Sequence, residues 1–564
     1  GETMDRIVHA QPEAISRFNY GVPPELERII RKCMEKDRES RYQSAREILI
    51  DLKNLRRDSD SGSKQAARGH SVSRLTLALA VVVIVSGAAT VYELLIPKGR
   101  GASGAQVRSL AVLPLRSLSG DAADDYIGLG ITDTIINRIG ALGELSVRPT
   151  SAVRQYSTQQ ISSLEAARQL KVDSVLDGTV QRSGDRLKVN LTLLGASDGA
   201  TLWSGSFNVS FADTFAMQDD ISRQVAQGLR VKISEAERAR LTRRSTESGE
   251  AYQLYLKGRY HFEKWTDAGT RVARDYFTQA IEKDPGYALA YAAMADTYVF
   301  GNVGMPPKEA LPKARDAARR ALELDDSLGE AHAAMAQVKF LQDWDWPSAD
   351  EEFKRAIELS PNYTEGHHMY SHYLMAMGRF DESLAQSLRF LELDPSSPAP
   401  NLHLGDHYLA ARQYDQCIAQ ELKTLQIDPN YVRAHQQLGQ AYWLKEMYGT
   451  AISEFEKELS LSGVPADVLA GFRAAFAASG WKGYLRKRLE HDLAQAKQTY
   501  ISPAQIGLQY ALLDDKDQAM EWLERAYQER DNQLAFWIKI GPNLDGLRQD
   551  PRFTALLGRM KLTP

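Results

Sequence analysis

Cysteine is nearly absent: the 564 residues hold two, Cys33 and Cys417, far apart and without metal-type spacing. A disulfide framework and a cysteine-built zinc site are thereby excluded. An excess of one charge is missing as well. Lys and Arg number 69 against 73 Asp and Glu, and the net charge is −4 with no basic stripe. A polyanion-binding surface needs such a stripe, so no nucleic acid partner is expected. No Ser/His/Asp or Cys/His order stands out as a nucleophilic constellation.

What is present divides the chain into several domains, as its length requires. The one long apolar run is Leu75 to Tyr92, 18 uncharged residues. At ~1.5 Å per residue it covers about 27 Å, close to a bilayer core. Glu93 interrupts it, but Leu94, Leu95 and Ile96 carry the apolar character to Pro97, so a single transmembrane helix is expected over 75–96. Arg56, Arg57, Lys64, Arg68 and Arg74 precede it; Lys98, Arg100 and Arg108 follow. The heavier basic flank places the amino-terminal side in the cytoplasm. The Ser/Gly/charge-rich stretch 58–74 and the Gly-rich 97–107 read as linkers.

In residues 1–57, Pro23 and Pro24 precede a helix with Leu26, Ile29, Ile30, Cys33 and Met34 on one face. A second helix, Tyr42 to Leu55, presents Ala45, Ile48, Leu49, Leu52 and Leu55. Two such helices are too small for a core of their own. The stretch VPPELERIIRKCMEKDRESRYQSAREILIDLKNL closely resembles the last helices of the carboxy-terminal lobe of bacterial serine/threonine protein kinases. The resemblance makes Arg41 the arginine that ties those helices to the activation segment. Phosphoryl transfer needs a Gly-rich loop, a phosphate-binding lysine, a catalytic aspartate and a metal-binding aspartate. No HRD, DFG or VAIK-type motif occurs in the 564 residues. The polypeptide as written therefore holds no kinase chemistry and no cofactor. With no start methionine and no signal pattern at Gly1, it is expected to be a carboxy-terminal fragment of a kinase that uses ATP and magnesium.

Residues 108–235 read as an α/β unit. Ser109–Leu115 is a short apolar strand, Gly130–Leu142 a helix with Ile131, Ile135, Ile136 and Ile139 in phase, and Glu144–Pro149 the next strand. Leu164–Lys171 follows as a helix, then three strands. In the middle one Leu187, Val189, Leu191 and Leu193 alternate with Lys188, Asn190 and Thr192. Asp198-Gly199 signals a hairpin. The order AVLPLRSLSGD, YIGLGITDTI, VLDGTVQR, LWSGSFNVSFADTFAMQDDIS resembles the TolB amino-terminal-like domain, which implies a fold and no chemistry. Gly128-Leu129-Gly130 has the form of a phosphate-loop fragment, but a lone G-x-G at an apolar helix start reads as packing. The acidic pairs Asp124-Asp125 and Asp219-Asp220 read as favourable charge at helix starts.

After a connector, 236–250, the chain is repetitive over 251–462. Pro361, Pro395 and Pro429 recur 34 residues apart, each ending a helix because proline cannot donate to the ladder. One unit carries Leu404, Gly405, Tyr408 and Tyr414; the next carries Leu438, Gly439, Tyr442, Tyr448, Ala451 and Phe455. Period and residue types resemble tetratricopeptide repeats, with small residues where paired helices touch and aromatics between neighbours. Gly301–Pro307 is expected as a loop insertion, and 463–564 as degenerate repeats closed by a helical cap with a polar outer face. The expected fold is multidomain and mainly α: a tetratricopeptide superhelix preceded by a small α/β domain, one transmembrane helix and a helical kinase remnant.

The superhelix is expected to leave a hollow inner face for a protein or peptide ligand. His368 and His372, then His403 and His407, form two i,i+4 pairs on successive first helices, the spacing of metal half-sites. Groove polarity is the plainer reading of them. Trp344, Trp346, Trp443 and Trp481 read as packing residues. The expected function is the scaffold or sensor arm of a membrane-anchored bacterial kinase, with the repeats outside the cytoplasmic membrane and homodimerisation as a signalling route. An active parent kinase and a kinase-independent assembly or secretion scaffold are the alternatives.

Overall fold

The computed structural model describes residues 107–562, apart from 119–124, 144, 158–160, 211–213, 230–244, 263–266 and 300–304. Of the first 106 residues it describes only 28, 29, 32 and 51. The kinase-like helices with Arg41, the linkers and the apolar run 75–96 thus lie outside the described residues. Among those described, no helix is long and apolar enough to cross a membrane. Residues 1–103 and 104–564 form separate compact units.

The α/β part of the second unit runs β1 (Ser109–Val112), β2 (Arg116–Ser117), α1 (Asp125–Gly140), β3 (Ser146–Val147), α2 (Thr150–Val153), α3 (Ser163–Gln169), β4 (Ser174–Ser183), β5 (Arg186–Gly195), β6 (Thr201–Ser210) and α4 (Thr214–Gly228). The sheet order is β3-β1-β4-β5-β6, with β2 also on β4. β1 pairs parallel with β3 and β4, whereas β4, β5 and β6 form an antiparallel meander. Alternation on β5 works as expected: Leu187, Val189, Leu191 and Leu193 are buried. Ile127, Ile131, Ile135 and Ile139, four residues apart on α1, cover the same core. Ser162 caps α3 by accepting the Glu165 N–H at 3.2 Å. Gly128 is a packing residue: a Cβ there would lie 2.2 Å from the Leu115 carbonyl oxygen. Asp220 lies in the second turn of α4, not at its start, and holds Gln224 at 2.7 Å.

The helical hairpins follow. They are α5 (Gly249–Phe262) with α6 (Asp267–Lys283), α7 (Ala288–Val299) with α8 (Pro307–Leu324), and α9 (Gly329–Val338) with α10 (Trp346–Leu359). Then come α11 (Thr364–Ala376) with α12 (Phe380–Leu393), α13 (Pro398–Ala410) with α14 (Tyr414–Ile427), and α15 (Val432–Leu444) with α16 (Tyr448–Leu461). Left-handed residues turn the last three hairpins at Gly378 (φ 78°), Arg412 (φ 62°) and Glu446 (φ 60°), again 34 apart. Only the first is the residue type that adopts this conformation without strain. Gly439 lets α15 meet α16, since a Cβ there would lie 2.7 Å from the Phe455 ring. Leu404, Leu438 and Ala451 are buried, while Tyr408, Tyr442 and Phe455 are half-buried.

Beyond the hairpins, α17 (Ala466–Gln495) breaks at Ser479 and Gly480. Next come α18 (Pro503–Leu512), α19 (Lys516–Glu529), α20 (Asn532–Trp537), a 3-10 turn at Pro542–Leu547, and α21 (Pro551–Arg559). This segment does not simply extend the stack as a terminal cap. It doubles back onto the third and fourth hairpins, where Leu523, Leu534, Leu544, Phe553 and Leu557 share one core with Phe340, Trp346, Phe353 and Tyr373. The residues expected to form a polar outer face are apolar on the returning side, and burying them drives the return.

Candidate functional site: the inner face of the repeats

The first helices α7, α9, α11, α13 and α15 lie side by side, and with α5 they make the inner face of the array. The sequence pattern led to the expectation of a hollow, free face. Much of it is filled by the chain itself. At the amino-terminal end α1 and α4 dock on α5: the Tyr252 hydroxyl lies 2.7 Å from the Thr134 hydroxyl and also meets Gln218. Gly130 seats the Leu256 side chain. The second glycine of the G-x-G motif is therefore a docking notch and not part of a phosphate loop.

Asn362, in the loop between the third and fourth hairpins, is the polar staple of this junction. Its Nδ2 donates to the carbonyls of Gly140 (2.7 Å) and Leu145 (2.8 Å). Its Oδ1 accepts from the Val147 N–H (3.2 Å) and from Arg389 Nη2 (2.9 Å). Nearby, Ser151 donates to Asp394 at 2.6 Å. Replacing Asn362 by alanine strips partners from buried backbone groups, which costs roughly 2–3 kcal/mol. The expected outcome is a lower urea midpoint for the full chain and faster proteolysis near residues 141–149; an unchanged digestion pattern would count against the staple.

Between α1 and the inner face lies a cavity of about 90 Å³ lined by Asp133, Arg259, Asp296, Glu330, Tyr363 and others. Asp296 is 4% exposed, accepts from the Tyr363 hydroxyl at 3.1 Å through one carboxylate oxygen, and has no partner for the other. Burial away from water pushes its carboxyl up to about 8. Glu330 is raised by burial too, while Arg259 reaches Asp133 at 3.5 Å.

Further along, the returning carboxy-terminal segment covers the face. Phe536 packs edge-on to Phe340 with ring centres 5.3 Å apart and contacts His372 at 5.1 Å. Ile540 lies with Met375 and Ala410. The face is uncovered on α15, where the Arg433 side chain is 56% exposed and Gln436, Gln440 and Trp443 are half-buried. Trp443 stacks on Trp481 of α17 at 5.8 Å, and Tyr448 joins it at 5.7 Å. Trp344 and Trp346 are core residues, as expected.

Of the four candidate histidines, three come together. One ring nitrogen from each of His368, His372 and His403 lies within 4.8 Å of the others. His407 is turned away, its Nδ1 3.1 Å from the Ser383 hydroxyl. Burial first, then neighbouring positive groups, holds the imidazoles of His372 and His403 well below the ordinary histidine value, so both are neutral at physiological pH. Other histidines are plain staples. His367 and His435 each use Nδ1 on the second helix (Gln386, Glu454; 2.6 Å) and Nε2 on a loop carbonyl (Pro361, 3.0 Å; Pro429, 3.2 Å). The sequence pattern carried no sign of one further feature: Gly405 faces buried Glu421, not an aromatic, and neither Glu421 carboxylate oxygen has a partner. Burial, then the neighbouring Asp406, raises that carboxyl well above the usual carboxylate value.

Known proteins match parts of this arrangement. Residues 105–224, which hold most of the α/β unit, match the HilA/YgeH-like transcriptional regulator, second domain. A Rhizobium meliloti protein described as "Putative adenylate cyclase 3" is 30% identical over 233 residues, 40% of this chain and 39% of that protein. The transcriptional regulator HilA of Salmonella typhimurium is 26% identical over 151 residues, 26% of this chain and 27% of HilA. The matched stretches thus span well under half of these relatives. Among solved structures, the pilus biogenesis factor PilW aligns with 38% of this chain and 94% of its own at 21% identity and a TM-score of 0.31. YrrB, described as a tetratricopeptide protein with an unusual peptide-binding site, aligns with 34% and 95% at 22% identity and a TM-score of 0.26. At such scores the helix pairing of this chain, not the likeness, carries the fold assignment.

Proposed function

We propose that residues 105–564 are the input arm of a signalling protein, a scaffold that takes a protein or peptide partner on the inner face of its last hairpins. The observation that carries this reading is the uncovered stretch of α15. There an exposed arginine, paired with Asp406 at 3.4 Å, two amides and a stacked tryptophan line a stretch of the described inner face that the chain leaves open. Exposed arginine beside aromatic rings is the composition of interaction hot spots. The α/β unit, locked to the first hairpin through Tyr252 and to the loop between the third and fourth through Asn362, would pass a change in the repeats toward the amino terminus. Two relatives carry different outputs, a cyclase and a transcriptional regulator, which suits a shared input arm. For this chain the kinase resemblance of residues 1–57 makes the proposed output a serine/threonine kinase. The run 75–96 would cross the cytoplasmic membrane and place the arm outside.

Site-specific photo-crosslinkers at Gln436 and Gln440 test the reading. A discrete crosslinked protein is expected there and not from Lys354 on the outer helix α10; equal crosslinking at all three positions would refute it. A compartment-specific reporter fused after Pro564 tests the topology separately, and a cytoplasmic signal would overturn that part.

A further inference from the structure

We propose that His368, His372 and His403 bind one zinc-class divalent ion between the fourth and fifth hairpins. His368 and His372 stand one turn apart on α11, and His403 faces them from α13, with ring centres 4.9, 4.9 and 4.2 Å apart. Three nitrogens at about 2.0–2.1 Å from a tetrahedral ion sit roughly 3.3 Å from one another. The nitrogens here are already within 4.8 Å, so small side-chain rotations close the site.

The hydrogen bonds around the trio leave the right atoms over. Nδ1 of His368 lies 3.0 Å from Glu365 Oε2, which leaves Nε2 as its free nitrogen. Nε2 of His403 lies 2.9 Å from the Ser371 hydroxyl, itself 2.6 Å from Ser387 Oγ, and Nδ1 of His403 has no partner. Nδ1 of His372 is equally without one. His372 is 9% and His403 2% exposed, so water does not readily serve these orphaned atoms. A carboxylate or hydroxyl behind a ligating imidazole, orienting the ring and fixing its tautomer, is the usual support of a metal-bound histidine. The staple histidines His367 and His435 have both nitrogens occupied, which removes the objection that this is simply how histidine packs in the array.

Three imidazoles and no thiolate favour zinc, cobalt, nickel or copper over calcium and magnesium. The fourth position falls to water or an outside ligand. The rings of Phe390 (5.0 Å from His368) and Phe536 (from the returning segment, against His372) wall the pocket. An ion here would pin α11 to α13 and brace the seat of Phe536, stiffening the covered stretch beside the open face on α15.

Cobalt titration of the EDTA-treated full chain provides the test. One equivalent is expected to give the visible bands of a four-coordinate nitrogen site, and zinc is expected to displace it and raise Tm. His372→Ala with His403→Ala should abolish the bands. Glu365→Gln, which touches no ligand atom of the ion, should weaken zinc binding by about 10–100-fold. His407→Asn should keep the bands. Absence of the bands together with a Tm that saturating zinc does not move, or bands that survive the double substitution, would overturn the site.

Discussion

Phe340→Ala is expected to lower the stability of the full chain by about 3–5 kcal/mol and to release its carboxy-terminal segment. Phe340 is fully buried in the short π-helical turn Lys339–Asp343 that follows α9. Its ring meets Trp346 (6.0 Å), Tyr373 (5.6 Å) and Phe536 (5.3 Å), each steeply edge-on, the arrangement aromatic quadrupoles favour. Removing it opens a void where third hairpin, fourth hairpin and returning segment converge. Trp346 Nε1 donates to the Met560 carbonyl at 2.8 Å, and that bond loses its backing when the void forms. Two measurements check this: a lower urea midpoint, and faster tryptic cleavage at Lys539 and Arg548. Leu422→Ala, at a residue 47% exposed, should change stability by less than about 0.5 kcal/mol. A Phe340→Ala protein whose Lys539 stays protected would show that the segment is held elsewhere.

Periodic features of the fold were legible because each depends on residues close in sequence. The alternation on β5, the isoleucine stripe of α1 and the prolines at 361, 395 and 429 state local structure, and the structure follows them. Contacts between distant segments were not legible. Asn362 reaches Gly140 and Val147 across more than 200 residues, and nothing in the run PNYT distinguishes it from an ordinary turn asparagine. The groove was misread for the same reason. Phe340 and Met375 are apolar residues that must be covered, yet which part of the chain covers them depends on the path of α17 to α21. The histidine pairs were visible at their i,i+4 spacing. Which three meet depends on the rotation of α13 against α11, and that rotation sends His407 to Ser383 instead.

The second large effect concerns Asp296, and its sign follows from linkage. Its folded carboxyl is raised from 3.8 to about 8, chiefly by burial, with Glu365 and Glu330 adding to the rise and Arg259 and the Tyr363 hydroxyl opposing it. Below about pH 4 the folded and unfolded chains both hold the proton, and the stabilising contribution is complete. Between pH 4 and 8 the unfolded chain releases a proton that the folded chain keeps, so stability falls by up to about 1.4 kcal/mol per pH unit. Asp296→Asn removes that loss, since an amide fills the same space with nothing to ionise. The variant should melt close to wild type at pH 4 and progressively above it up to pH 8, with no further divergence beyond. Glu330 keeps its own, separate pH dependence in both proteins. A pH-independent offset between the two melting curves would mean that Asp296 is already ionised in the fold, held by Arg259. The cavity beside α1 would then be a charged junction and not a protonated one.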